Sequence, residues 1–388
     1  MKFLKYFAFS LPIIALIGYF LYQRYPVNPP LQFMSKTYEG ELPIDKLSLP
    51  DGFQIDVYAE GVENARSLCL SPNGTLFVGT RGKGNVYALV DVDKDGRIDK
   101  KYTLMEDGNM PNGVAFKDGD LYVAEVNRIL KFSDIENNLD NPGSPEIVYD
   151  KYPTESHHGW KYIAFGPDGR LYVPVGAPCN MCESEDKIYA SITSLNPDGT
   201  DMRIEQEGVR NTVGFDWDPI NGELWFTDNG RDLLGDELPE CEINRTNNIK
   251  SHFGYPYCHQ GDILDPEFGE GKNCNDYTPP VVKLGPHTAP LGMEFYANSN
   301  NFPEEFKDDV FVARHGSWNR KEKIGYDVVR VHKNEDGTFV NLPFISGWLS
   351  KDKKDVWGRP VDLEVMPDGS MLISDDFGDA IYRVYYTP

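Results

Sequence analysis

Residues 208–237 read GVRNTVGFDWDPINGELWFTDNGRDLLGDE. Within them VGFDWD and ELWFTD alternate apolar and polar side chains around Pro219-Ile220-Asn221-Gly222, the pattern of two short strands joined by a turn. In an antiparallel pair the start of the first strand and the end of the second share one edge. Arg210 and Asn211 are therefore predicted beside Asp228, Asn229 and Arg231, at the edge away from the turn. The unit recurs as ARSLCLSPNGTLFVGTRG, MPNGVAFKDGDLYVAEVN, HHGWKYIAFGPDGRLYVPVG, APLGMEFYANSNNFPEEFKDDVFVARHGSWN and GRPVDLEVMPDGSMLISDDFG. Further strands such as NVYALVD, RILKFS, YDVVRVH and IYRVYY follow most copies. A hairpin with outer strands, repeating every 45 to 60 residues or about that, is the signature of a propeller blade. Six copies predict an all-β fold, a six-bladed β-propeller over residues 49–388. An insertion near 240–285, rich in Pro, Gly and Cys, reads as a long loop on the mouth side.

The chain has 388 residues and a formal charge of −23, so core size is not limiting and a nucleic-acid partner is excluded for want of a basic surface. Its first residues carry an apolar run from Tyr6 to Tyr22, about the length that spans a bilayer. Lys2 and Lys5 precede the run and Arg24 follows, a bias that keeps the N-terminus inside and exports the bulk of the chain. Residues 1–24 are thus predicted to be an N-terminal transmembrane helix acting as a signal anchor, and 25–48, with Pro26, Pro29 and Pro30, a linker. A cleaved signal peptide competes, but no small-x-small site follows the run. The implied location is the bacterial inner membrane with the propeller in the periplasm, or secretion if the anchor is cut.

Six cysteines in an exported domain suit disulfides. Cys258 and Cys274 flank the insertion and form the best pair. Cys179 and Cys182, in CNMC, read as a local bridge or paired thiols, with no following His for haem and no second CxxC for zinc. Cys69 reads as a buried strand residue.

The turn edges of the units, PNG, KDG, PDG and PING, carry little chemistry. The other edges carry Arg66, Arg81, Asn112, Glu125, His157, His158, Arg210, Asn211, Asp228 and Asn229. Later units add His287, Arg314, His315, Arg359, Asp375 and Asp376. Four of the seven histidines lie on this rim. Arginines gathered at one mouth of so acidic a chain point to an anionic ligand.

GVRN, TDNGRDLLGDE, APLGMEFY, ARHGSWNR and GRPVDLEVMPDGSMLISDD together resemble the glucose/sorbosone dehydrogenases, in particular the sorbosone dehydrogenase-like branch. The resemblance covers the propeller nearly end to end. It implies pyrroloquinoline quinone (PQQ) and Ca²⁺ as cofactors and oxidation of a sugar or sugar aldehyde to a lactone or acid. It also implies a quinone or cytochrome electron acceptor. By position, His158 matches the family's general base, Arg210 and Asn211 a pair that contacts the quinone, and Asn229 an amide on the cofactor. Arg210 also matches a group that stabilises charge on the quinone oxygen. Gly230 and Arg231 match carbonyls that hold Ca²⁺, and Arg359 matches a clamp. Arg314 and Arg320 are candidates for the family's cofactor-binding lysine. His157 replaces an aspartate of the soluble glucose dehydrogenases, so their glucose preference does not carry over, and Val361 replaces a second clamp arginine, which removes one contact to the cofactor.

Separately, Asp91, Asp93, Asp95, Gly96 and Asp99 match the first part of an EF-hand loop, with Tyr102 where that loop has Glu. The alternative functions are a calcium-dependent lactonase using Glu125, Asn112 and Asp375, and a non-catalytic carbohydrate- or protein-binding propeller.

Overall fold

The hairpin at the centre of the sequence reading forms in register, with Phe215 opposite Phe226 and Trp217 opposite Leu224. A computed structural model describes residues 37–297 and 301–388, and in it the hairpin is the inner half of one of six radial sheets. Blade one comprises Ala65–Leu70, Thr75–Thr80, Val86–Val90 and Lys100–Met105, and blade two Gly113–Lys117, Asp120–Ala124, Ile129–Phe132 and Glu146–Tyr149. Blade three comprises Ala164–Phe165, Leu171–Val175, Ser191–Leu195 and Arg203–Glu207, with Ser251–His252 added in parallel at its outer edge. Blade four runs through Phe215–Trp217, Leu224–Asp228, Glu240–Thr246 and Val282–Pro286, and blade five through Pro290–Phe295, Val310–Arg314, Asp327–Lys333 and Phe339–Ile345. Blade six takes Pro360–Val365, Met371–Asp375 and Ala380–Tyr386 from the end of the chain and Phe53–Glu60 from its beginning, paired antiparallel from Phe53–Tyr386 to Glu60–Ala380.

Two-residue periodicity accounts for the core. Successive side chains of a strand point to opposite faces, and here each face meets a neighbouring blade. Leu76 and Val78 pack between blades six and one, whereas Phe77 between them in sequence packs between one and two. Tyr122 and Ala124 face blade three while Leu121 and Val123 face blade one. Phe311 and Ala313 face blade six while Val310 and Val312 face blade four. Six clusters of this kind, one per blade junction, make up most of the core.

Innermost strands touch around the axis: Ala65–Leu70 contacts both Gly113–Lys117 and Pro360–Val365. The approach is close enough to require glycine. A Cβ on Gly292 would lie 2.1 Å from Asp362 Oδ1 and 2.6 Å from its Cα. Gly292→Ala is expected to destabilise the propeller by about 1–3 kcal/mol through overpacking, read as a lowered urea midpoint at unchanged m-value.

Several expectations change on contact with the structure. Residues 240–246 and 282–285, placed in the insertion, belong to strands of blade four, so the insertion proper shrinks to 247–281, within which Ser251–His252 joins blade three and Cys258–His259 pairs with Ile263–Leu264. Residues 37–48, placed in the linker, lie on the propeller: Tyr38 N donates to Phe377 O at 2.6 Å, Ser48 bridges to Ser346, and Leu42, Ile44 and Leu47 pack on the cluster between blades five and six. The transmembrane anchor at 1–24 lies outside the described residues, among which no helix is long and apolar enough to cross a membrane. Cys258–Cys274 and Cys179–Cys182 are both disulfides. Cys69 is half-buried rather than buried.

Candidate active site

The edges singled out in the sequence converge. Residues just before an innermost strand or just after the second strand of a blade meet at one end of the axis, around a cavity of 540 Å³. Four arginines, Arg66, Arg81, Arg210 and Arg359, line it together with His157, His158, His287 and His315. Asn211, Asn229 and Gly230 complete the expected set on its wall, and Asp232 is the acidic residue among them.

His158 is 9% exposed and has φ 50°, a left-handed conformation tolerated because Gly176 beside it has no Cβ; one there would sit 2.5 Å from His158 Cβ. Its Nδ1 lies 2.9 Å from Ala177 O. A carbonyl only accepts, so Nδ1 carries the proton and Nε2 is left as the acceptor. Burial, then the charge of Arg210, then His157 push its pKa far below 6.5, which keeps the ring neutral. His157 is exposed, its ring 4.1 Å from that of His158.

The four guanidinium groups differ in what they leave free. Arg210, 4% exposed, spends all five N–H groups on the protein. Nε donates to Asn180 O (3.0 Å), Nη1 to Asn229 O and Gly230 O (2.9 Å each), and Nη2 to Asn180 Oδ1 (2.9 Å) and Asp232 Oδ2 (3.4 Å). What it offers the cavity is positive charge and a flat face, a surface on which a planar ring stacks. Arg81 is the opposite case. Its guanidinium lies 3.6 Å over the Trp160 ring and has no hydrogen-bond or ion-pair partner among the described residues. Burial and the nearby Arg66 push its pKa down to about 10. Arg359 makes only long contacts to His315 O (3.2 Å) and Gly316 O (3.4 Å). Arg66 pairs with Asp376 at 2.8 Å and Asn112 at 2.9 Å, yet its buried Nη2 has no partner.

Carboxylates at the ends of the second strands fix the arginine backbones. Asp228 accepts from Arg210 N (3.0 Å) and Asn211 N (2.7 Å), and Asp375 accepts from Arg359 N (2.8 Å), Phe377 N (2.9 Å) and Gly378 N (2.7 Å). Burial raises both to about 6. His315 meets Asp376 at 2.7 Å, and its pKa is lowered to about 4 by burial and Arg359.

Other expected residues fall elsewhere. Arg314 forms a two-pronged pair with Asp327 and donates to Leu284 O, and Arg320 is held by Asp236 O, Glu237 and Glu322 O; neither lines the cavity, so neither replaces the family's lysine. Arg231 turns its side chain to Asp265 and is absent from the wall, which leaves Gly230 to represent the expected carbonyl pair there. Glu125 accepts from Asn109 N and Arg128, Asn112 bridges Arg66, Ser67 and Lys161 O, and Asp375 is spent as above. The lactonase ligand set therefore does not assemble. Asp91, Asp93 and Asp99 place carboxylate oxygens within 4.8 Å of one another, apart from the cavity, while Asp95 caps Arg97 N at 2.9 Å.

Trp160, Asn180, Asp232 and Trp318 were missed. Trp160 had a signal, an aromatic two residues past the His pair. Trp318, 49% exposed on the cavity rim, stood inside the ARHGSWNR motif.

Residues 47–387 match the TrAA12-like family, and the chain belongs to it. A protein of Borreliella burgdorferi, named only as uncharacterized, is 33% identical over 354 residues, which make up 88% of this chain and 91% of that one. A pyrroloquinoline quinone-dependent pyranose dehydrogenase of Coprinopsis cinerea is 23% identical over 341 residues, covering 74% of this chain and 45% of its own length. This chain thus spans less than half of that relative. The calcium structure of the Trichoderma reesei carbohydrate-active enzyme of family AA12 superposes with a TM-score of 0.77 at 20% identity, over 92% of this chain and 100% of that one. The resemblance drawn from the motifs and these comparisons agree: the named relatives are quinone-dependent sugar oxidoreductases.

Proposed function

We propose that the cavity binds PQQ and that the protein oxidises a sugar or sugar aldehyde, sorbosone- or aldose-like, to the acid or lactone. The observation that carries this is the wall itself: guanidinium donors left free at Arg81, Arg359 and Arg66, a flat saturated Arg210, and a neutral imidazole, all in a chain of charge −23. A planar tricarboxylate fits that donor set. Its carboxylates would be held by Arg81, Arg359 and Arg66 through charge-assisted bonds, and its ring plane would meet Arg210, with Asn211 and Asn229 alongside. The bound quinone supplies the two-electron acceptor. His158 Nε2 takes the hydroxyl proton of the substrate, and the Ala177 carbonyl holds the ring in the tautomer this requires. Trp318 offers an exposed apolar face on which a sugar ring can lie.

Calcium enters in two places, at the Gly230 carbonyl beside the cofactor and in the separate Asp91–Asp93–Asp99 loop, where a thermal-shift titration with CaCl₂ tests it. The two disulfides support an oxidising compartment, in keeping with a periplasmic domain anchored by residues 1–24 that passes electrons to a membrane quinone or a cytochrome. Membrane fractionation of the full chain tests that placement.

The decisive experiment reconstitutes the purified protein with PQQ, with and without Ca²⁺, and screens aldoses, sorbosone and simple aldehydes for dye reduction. Substrate-dependent reduction is expected. No change in quinone absorbance with any substrate, or lactone hydrolysis without quinone, overturns the proposal.

A further inference from the structure

The loop that follows blade three's second strand does more than connect. Ala177 O receives His158 Nδ1, Ala177 N donates to Arg210 O at 2.8 Å, and three residues on Asn180 accepts from the Arg210 guanidinium through both its backbone and side-chain oxygens. Asn180 Oδ1 also accepts from Asp232 N at 2.9 Å and Asn180 Nδ2 donates to Asp232 O at 3.2 Å, which ties the loop to the segment that follows the second strand of neighbouring blade four. The Cys179–Cys182 disulfide closes a ring around Asn180. From behind, Tyr255 Oη accepts from Cys182 N at 3.1 Å; Tyr255 is 5% exposed and sits in the insertion stapled by Cys258–Cys274.

We propose that the Cys179–Cys182 loop is a positioning strap, with Asn180 as its working residue, that holds the Arg210 plane and the His158 base in mutual register. The proposal rests on the functional reading above and adds residues to it. Asn180 does not line the cavity, and it acts through Arg210. Without the disulfide a four-residue loop has many conformations, and few of them aim two oxygens of one residue at one guanidinium.

A binding cycle separates positioning from general weakening. PQQ affinity would be followed by quenching of intrinsic tryptophan fluorescence in wild type, Asn180→Ala, Arg210→Ala and the double variant. Asn180→Ala is expected to weaken binding on the order of tenfold, and to weaken it no further once Arg210 is alanine. Equal affinity of Asn180→Ala and wild type overturns the strap, as do losses that simply add. Crystal structures without ligand give a readout independent of the quinone. In Asn180→Ala and in Cys179→Ser/Cys182→Ser, Arg210 should leave Gly230 O, and an unmoved guanidinium in both overturns the proposal. A wild type that binds no PQQ would sink the functional reading alone, while the ligand-free structures still decide the strap.

Discussion

His158→Asn is expected to lower kcat by about 10²–10⁴-fold while leaving quinone affinity within about threefold, the range for loss of a general base that does not grip the cofactor. Asparagine keeps a donor for Ala177 O but offers no basic nitrogen at the position of Nε2. A second readout is pH. The folded-state pKa of His158 lies below its unfolded value of 6.5, because burial and Arg210 disfavour the cation. Between those two values the unfolded chain binds the extra proton, so stability conferred by a neutral His158 is full above pH 6.5 and is lost as pH falls below it. In His158→Asn that part of the acid dependence should flatten in thermal melts from pH 7 to about 4.5. Asp228 and Asp375, raised to about 6, pull the other way: their protonated forms favour the folded state at low pH, and ionisation costs stability as pH rises towards 6. Only the difference between variant and wild type isolates the histidine. A variant that retains turnover within a few-fold would remove His158 from the chemistry.

Arg81→Met and Arg359→Met should each reduce PQQ affinity by about 10–100-fold, the worth of a charge-assisted contact, and should raise the melting temperature of the ligand-free protein. The second half of that expectation follows from the free donors. Arg81 has no acidic partner, is partly desolvated and is repelled by Arg66, so its charge opposes folding until an anion arrives. Methionine keeps the contact with Trp160 and removes the repulsion. Opposite signs for stability and binding are the mark of a site organised for ligand rather than for the fold. Calorimetry of the ligand-free variants together with quinone titration checks both. A lowered melting temperature in both variants would mean that these arginines are structural.

The blade hairpins, their common edge and the Cys258–Cys274 pair were legible because they depend on local alternation, turn chemistry and spacing. Partner choice for individual arginines was less so. Arg314 and Asp327 face each other across one antiparallel pair, so their ion pair was available in principle from strand register. Arg66–Asp376 and Arg210–Asn180 join different blades, and nothing within one repeat announces them. The same holds for residues 37–48. Their prolines and polar neighbours read as a tether, but Leu42, Ile44 and Leu47 find apolar ground only once blades five and six exist. Arg210 was placed at the mouth by its strand edge, but that its donors are all taken by the protein could be seen only in three dimensions, since its acceptors come from two different loops.

Among the described residues, the earliest strand in sequence completes the latest sheet, since Phe53–Glu60 pairs with Ala380–Tyr386. Until Ala380–Tyr386 has been made, Phe53–Glu60 has no partner strand and blade six stays incomplete, so the toroid cannot lock before that stretch is synthesised. Arg66 and Asp376 pair across the junction of blades one and six, so one wall of the arginine-lined mouth spans the joint between the first and last blades.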